Sequence, residues 1–434
     1  MRSSCRAART TAIGLVLALI LTALAACGLD SSTHVASSPT PTSTTVAPLY
    51  PVEPNAYPAY VKHKWGVTKI TTEPKRIVAL GFRDQESMVA LGVTPVAVQN
   101  YFGAANPWAK SPWLSPTAQN ANYVVVTADV RDPKNGHVTP GNDGPIMPSG
   151  FPQAANTPPL KQVYNLDDLR ALKPDLITAM FSGVTQEDFQ KLQSVAPTIT
   201  GVSDDSRDYF SSWEEEMQAT GAALGRPAAA SRIVAQAENQ FAALATAHPE
   251  IRNARVVVAA PGPNGEFRII NPYGELSRFF TSLHMSFPAD IQSVTTPQGK
   301  AAYAKAIYSV DFDDGELNLL NGVDVLVMVV GPDGGALMNS LRQTAGYQNL
   351  GPVQKGHVLV LDGELAEALY YESPNSIPWA IAQLTPMLAE MLSGRAAKVQ
   401  SNSGSDDSGG LPTITYKGAP TSTPTPTPSS TRTP

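Results

Sequence analysis

Short apolar runs alternate along this chain with segments whose apolar positions recur every three or four residues. The runs predict strands buried on both faces, and the spaced segments predict helices with one buried stripe. Residues 77–80 (IVAL) end on Gly81, residues 85–91 form a short helix closed by Gly92, and residues 94–98 return as a strand. Strand, helix and strand in so short a span make a compact parallel unit. The pattern continues with helices at 166–172, 186–195 and 211–224 and strands at 174–179 and 197–200. After residue 248 it starts again, with strands at 255–260, 267–270, 323–330 and 357–361 and helices at 276–283, 316–320 and 377–392.

Between the two series lies the longest helical segment, 227–247. It opens on Pro227, which the first turn of a helix tolerates, and stops before Pro249. Ile233, Ala237, Phe241 and Leu244 share one face, and alanine, the strongest helix former, fills much of the rest. At 1.5 Å per residue it is about 30 Å long, enough to cross a small domain. The pattern therefore predicts an α/β fold: two parallel-sheet α/β lobes joined by one long helix, with a ligand cleft between the lobes. A single larger α/β domain containing that helix is the alternative.

Two regions break the alternation. Residues 100–122 form a long loop carrying Tyr101, Phe102, Trp108 and Trp113 before a strand at 123–127, and residues 131–160, rich in Gly, Pro and Asn, read as a surface insertion. With 434 residues, 42% of them hydrophobic, the chain is long enough for two domains. A formal net charge of -6 and the lack of a long basic run argue against nucleic acid as a partner.

The N-terminus changes the picture further. Arg2, Arg6 and Arg9 precede an apolar stretch over 11–26, which ends Leu24-Ala25-Ala26-Cys27-Gly28. That ending resembles a bacterial lipobox, so cleavage is expected before Cys27, whose thiol would carry the lipid. Cys5 is then lost, and Cys27 has no disulfide partner among the two cysteines. The expected organisation is a signal peptide at 1–26, a Ser/Thr/Pro tether at 27–48, an N-terminal lobe at 49–226, the connecting helix at 227–247, a C-terminal lobe at 248–399 and a Ser/Thr/Pro tail at 400–434. The expected location is the outer face of the cytoplasmic membrane, reached through the lipid anchor.

The phrases PKRIVALG (74–81), ALGVTPVAV (90–98), NLDDLRALKPDLITA (165–179), LGRPAAASRIVA (224–235), GELNLLNGVDVLVMV (315–329) and GPVQKGHVLVLDG (351–363) follow one another along the chain. In that order they resemble the solute-binding proteins of iron-siderophore, haem and cobalamin ABC importers, of the actinobacterial ferric-siderophore type. The resemblance covers about residues 72–392. It implies a binding protein rather than an enzyme, a monomer, capturing a ferric siderophore and delivering it to a permease and its ATPase. Haem or cobalamin import and a non-transport surface sensor or scaffold are the alternatives. It also implies that an acidic residue on each lobe meets the permease, here Asp167 and Glu316, although Asp167 could equally cap its helix.

Ligands of parallel sheets sit beyond the carboxyl ends of the strands. That rule selects Arg83, Tyr101, Phe102, Trp108, Trp113, Phe181 and Tyr209 in the first lobe, and Arg278, Arg342 and Tyr371 in the second. Aromatic faces suit the organic shell of a chelate, and arginine forks suit its oxygens. A siderophore already fills the coordination of Fe(III), so no metal ligand and no intrinsic cofactor is needed; the histidines are too scattered for a bare metal site. For Trp108 and Trp113, packing that holds the loop down is the other reading.

Overall fold

The computed structural model describes residues 50–99, 101, 107–131, 138–139, 161–202, 211–262, 265, 267–272, 274–295, 309–312, 316–330, 335–393 and 400–401. The chain divides into Met1–Val46, which lies outside the described residues together with Cys27, and Ala47–Pro434, which holds everything below.

An antiparallel hairpin comes first, β1 (Ala59–His63) and β2 (Gly66–Ile70). Ala59, Val61 and His63 face inward, and Tyr60 and Val67 face solvent. Next come β3 (Ile77–Ala79), helix α1 (Asp84–Ala90), β4 (Ala97–Gln99) and β5 (Val124–Val126). A small antiparallel sheet of β6 (Asp129–Arg131), β7 (Val138–Thr139) and β8 (Lys161–Val163) leads to α2 (Leu166–Ala171). Then follow β9 (Leu176–Ala179), α3 (Gln186–Gln193), β10 (Thr198–Thr200) and α4 (Trp213–Ala223). Strands β10-β9-β3-β4-β5 form one parallel sheet. Its strands from β10 to β4 are fully buried, as a sheet covered on both faces requires, while the edge strand β5 exposes Val124 and Val125.

The connector α5 runs Pro227–Ala247, as the sequence predicts, and buries Ala230, Val234, Ala237, Phe241 and Ala245 at helical spacing. Its start is held by residues 50–58. The Glu53 carboxylate accepts the free N–H groups of Ala228 (2.8 Å) and Ala229 (3.1 Å), where a negative charge suits the helix dipole. Arg226 donates to the Tyr50 carbonyl at 2.7 Å and pairs with Glu73 at 3.0 Å. Between α4 and α5, Gly225 adopts φ +69, and a Cβ there would lie 2.8 Å from the Tyr57 ring. Only glycine fits both conditions.

The second lobe holds β11 (Val256–Pro261), β12 (Phe267–Ile270), α6 (Glu275–Ser282), β13 (Ser309–Phe312), a 3-10 helix (Glu316–Gly322), β14 (Val325–Val329), β15 (Val358–Leu361), α7 (Gly363–Tyr371), α8 (Ser376–Leu392) and β16 (Gln400–Ser401). Its sheet runs β13-β12-β11-β14-β15-β16. Strands β11, β14, β15 and β16 are parallel, but β12 runs antiparallel to both its neighbours, β11 and β13, a refinement of the parallel sheet expected here. The physical reason is connection length: residues 262–266 suffice for a hairpin turn but not for a crossover. One large core spans the first sheet, the connector and one face of the second sheet, and a second core covers the other face. Phe241 of the connector meets Phe279 of α6 edge-on at 5.5 Å.

Candidate functional site

The turns after β3 and β9 are fixed by one side chain. The Asp84 carboxylate, at the start of α1, accepts from the N–H groups of Gly81 (3.2 Å), Met180 (3.1 Å) and Phe181 (3.3 Å). A Cβ on Gly81 would sit 2.0 Å from that carboxylate, so the glycine is a steric requirement. Burial pushes the Asp84 carboxyl above its usual range, against the hydrogen bonds that pull it down. The carbonyl of Leu80 receives the hydroxyls of Tyr101 (2.7 Å) and Tyr164 (3.3 Å). The carboxyl end of the first sheet is thus set by buried, satisfied polar groups.

Phe82 carries that edge across to the second lobe. Its ring stacks on Tyr371 at 4.6 Å and 12°, meets Tyr370 at 4.6 Å, and meets Tyr101 edge-on at 5.3 Å. Trp113 lies 5.7 Å from both Tyr371 and Trp379. These contacts join the first-lobe loops to α7 and α8 in one aromatic seam. Offset and edge-on pairs of this kind add to what burial alone contributes.

Two charged centres lie inside the seam. Glu86 of α1 is fully buried. One of its oxygens accepts the indole N–H groups of Trp108 (2.6 Å) and Trp113 (2.9 Å); the other accepts from Ser373 (2.8 Å) and Asn375 (2.7 Å) in the turn between α7 and α8. Burial raises its pKa despite those donors. Arg83 is 1% exposed. Its guanidinium donates to Glu216 of α4 at 2.8 and 3.2 Å, to the Ser211 carbonyl, and to the Tyr371 carbonyl at 3.3 Å, and lies over the Phe181 ring at 4.1 Å. Glu372 approaches Arg83 at 3.8 Å and pairs with Arg278 of α6. Glu372 itself has φ 38, a left-handed conformation that a non-glycine residue adopts only under constraint. The strain sits in the turn that the first lobe grips.

The structure brings Arg83, Tyr101, Trp108, Trp113, Phe181 and Tyr371 together, with Arg278 joined through Glu372. All six are buried and engaged by protein groups. The indoles of Trp108 and Trp113 both donate to Glu86. Arg278 keeps 27% of its side chain exposed but is bound to Glu372. Arg342 ends a helix (Gly335–Arg342) beside Tyr347 of the second core, apart from these contacts. Phe102 and Tyr209 lie outside the described residues.

Asp84, Glu86, Glu216, Glu372, Ser373 and Asn375 were missed by sequence reasoning. The available signal was position: Asp84 and Glu86 open a helix directly after a buried strand, where a carboxylate faces backbone N–H groups rather than water. Of the residues around the seam, Tyr370, Trp379 and Glu367 stay half-buried. Burial and the neighbouring Glu364 raise the Glu367 pKa. Among the described residues no His/Cys/Asp/Glu group could hold a metal ion, and no helix is long and apolar enough to cross a membrane.

The predicted docking residues lie at the ends of their lobes that bear the strand carboxyl termini. Tyr164, three residues before Asp167, reaches Leu80 beyond β3. Asp167 is 89% exposed and paired with Arg170, and the cap of its helix is Asn165, not Asp167. Glu316 follows β13, whose Phe312 pairs with Phe267 beside the carboxyl end of β11.

Comparison with known proteins gives the arrangement a family. The profile of the periplasmic binding protein family matches residues 153–365. No curated protein matches the sequence. Among solved structures, a periplasmic solute binding protein of Mycobacterium smegmatis is similar at TM-score 0.58 and 22% identity, covering 77% of this chain and 98% of that one. PiaA of Streptococcus pneumoniae in complex with ferrichrome gives 0.56 and 19%, covering 77% and 99%. SirA of Staphylococcus aureus complexed with staphyloferrin B gives 0.52 and 18%, covering 77% and 98%. At these identities the likeness is one of fold.

Proposed function

Through residues 153–365 the chain belongs to the periplasmic binding protein family, and on that premise we propose that it captures a ferric siderophore outside the cytoplasm for an ABC importer. The observation that carries this reading is the aromatic seam where the carboxyl end of the first sheet meets α7 and α8, with Tyr370 and Trp379 left half-buried. Solved proteins of the same fold, PiaA and SirA, hold ferrichrome and staphyloferrin B. The chelate sits at the mouth of the seam, with ring faces against its organic shell and its iron already coordinated. The polar ties from Arg83 and Glu86 to the turn 371–375 hold the lobes at a fixed separation, so binding proceeds with little closure.

Delivery follows by docking on a permease through Asp167 and Glu316, with the protein held at the membrane by a lipid on Cys27 and monomeric throughout. The proposed organisation is an N-terminal lobe at 49–226, a connecting helix at 227–247 and a C-terminal lobe at 248–399.

The test is intrinsic tryptophan fluorescence of a soluble form lacking the signal and tether, titrated with ferric chelates and with haemin. Saturable quenching by a ferric chelate, weakened when Trp379 and Tyr370 are replaced by alanine, is expected. Response to haemin alone would transfer the reading to haem import, and silence to every ligand would sink it. In cells, Asp167→Lys with Glu316→Lys should abolish uptake while leaving ligand binding intact.

A further inference from the structure

Both seam arginines that an anionic ligand would require are already neutralised inside the protein. Arg83 is enclosed by Glu216 and Glu372, and Arg278 is bound to Glu372. Glu216 and Glu372 thus balance Arg83 and Arg278 one for one. Among the described residues, the charge on α7 next to the half-buried Tyr370 and the buried Tyr371 is another carboxylate, Glu367, with Glu364 one turn away. Recruiting Arg83 for a ligand would strand Glu216, which is 1% exposed, without its partner. Fields from groups in a low-dielectric wall act on a bound charge with little screening.

Resting on the ferric-siderophore reading above, we infer that the ligand carries no net negative charge: a neutral or cationic ferric trihydroxamate rather than a tricatecholate or a polycarboxylate chelate. Three singly charged hydroxamates cancel the charge of Fe(III) and leave a compact chelate with an uncharged shell. Three doubly charged catecholates overshoot it and leave an anion. The first can lie against Tyr370, Trp379 and Glu367 without an arginine; the second needs cations that the seam has engaged elsewhere. A positively charged pendant group would gain from Glu367 and Glu364.

The experiment compares an iron(III) trihydroxamate with an iron(III) tricatecholate built on the same backbone, and with iron(III) citrate, by tryptophan quenching and calorimetry on the soluble form. The trihydroxamate is expected to bind at least about 30-fold more tightly than either anion. Glu367→Gln combined with Glu364→Gln should shrink that preference about threefold or more, chiefly by improving the anions. Equal or tighter binding of the tricatecholate, or an unchanged preference in the double variant with a wild-type thermal melt, overturns the inference and leaves siderophore capture standing. Binding of none of the chelates overturns both.

Discussion

On the far face of the second sheet, Val257, Leu326, Met328, Val358 and Val360 pack against Phe267, Ile291 and Leu320. Between the lobes, an equally buried region holds Asp84, Glu86, Glu216 and Glu372 with Arg83 among its aromatic rings. The first region is held by excluded water and close packing, which tolerate any apolar group of suitable volume. The second is held by mutual satisfaction, in which each group is tolerable only because its partner is present. A fixed lobe geometry therefore rests on a few residues, whereas the far core spreads its contribution over many.

The sharpest way to break this contrast is Arg83→Leu. It leaves Glu216 buried without a cation and should cost about 3–5 kcal/mol of unfolding free energy by denaturant titration. A loss below about 1 kcal/mol would mean that the seam behaves like the far core. Leu326→Ala, in that far core, should cost about 2–4 kcal/mol by the same measurement, through lost transfer energy and the cavity left behind.

Glu86→Gln sharpens the comparison through pH. Burial raises the folded-state pKa of Glu86 above its ordinary value of 4.5. The native state therefore holds this proton more tightly than the unfolded chain does. That contribution is full below the unfolded pKa and is lost as pH rises through the folded one. Glutamine titrates nowhere, so the stability of the variant relative to wild type should rise with pH across that window, read from paired melting curves. A relative stability that falls with pH across that window would show instead that the four donors hold Glu86 ionised in the folded protein. The smallest effect belongs to the exposed pair Asp167–Arg170: Arg170→Ala should change stability by no more than about 0.5 kcal/mol.

How much was legible follows the same division. The connector could be bounded to the residue because Pro227 and Pro249 bracket a run of alanines with one apolar face. The antiparallel β12 was not, because a fully buried strand has the same apolar pattern in either direction. The hairpin at 59–70 was missed although Ala59, Val61 and His63 alternate, since a five-residue strand interrupted by Lys62 carries little apolar pattern. At the site, Arg83 was rightly placed at a strand end, but nothing near it in sequence announces Glu216, 133 positions on, or Glu372. Local pattern reports burial of apolar side chains; it carries no record of which distant group will neutralise a charge.

The grip of residues 50–58 on the connector has a mechanical meaning. Tension arriving along the chain at Tyr50 passes through the Tyr50 carbonyl to Arg226, and through Glu53 to the first turn of α5. The load enters at the spine shared by both lobes and bypasses the strands of either sheet. Under the proposed N-terminal leash, pulling would thus act on the connector rather than on the proposed binding face.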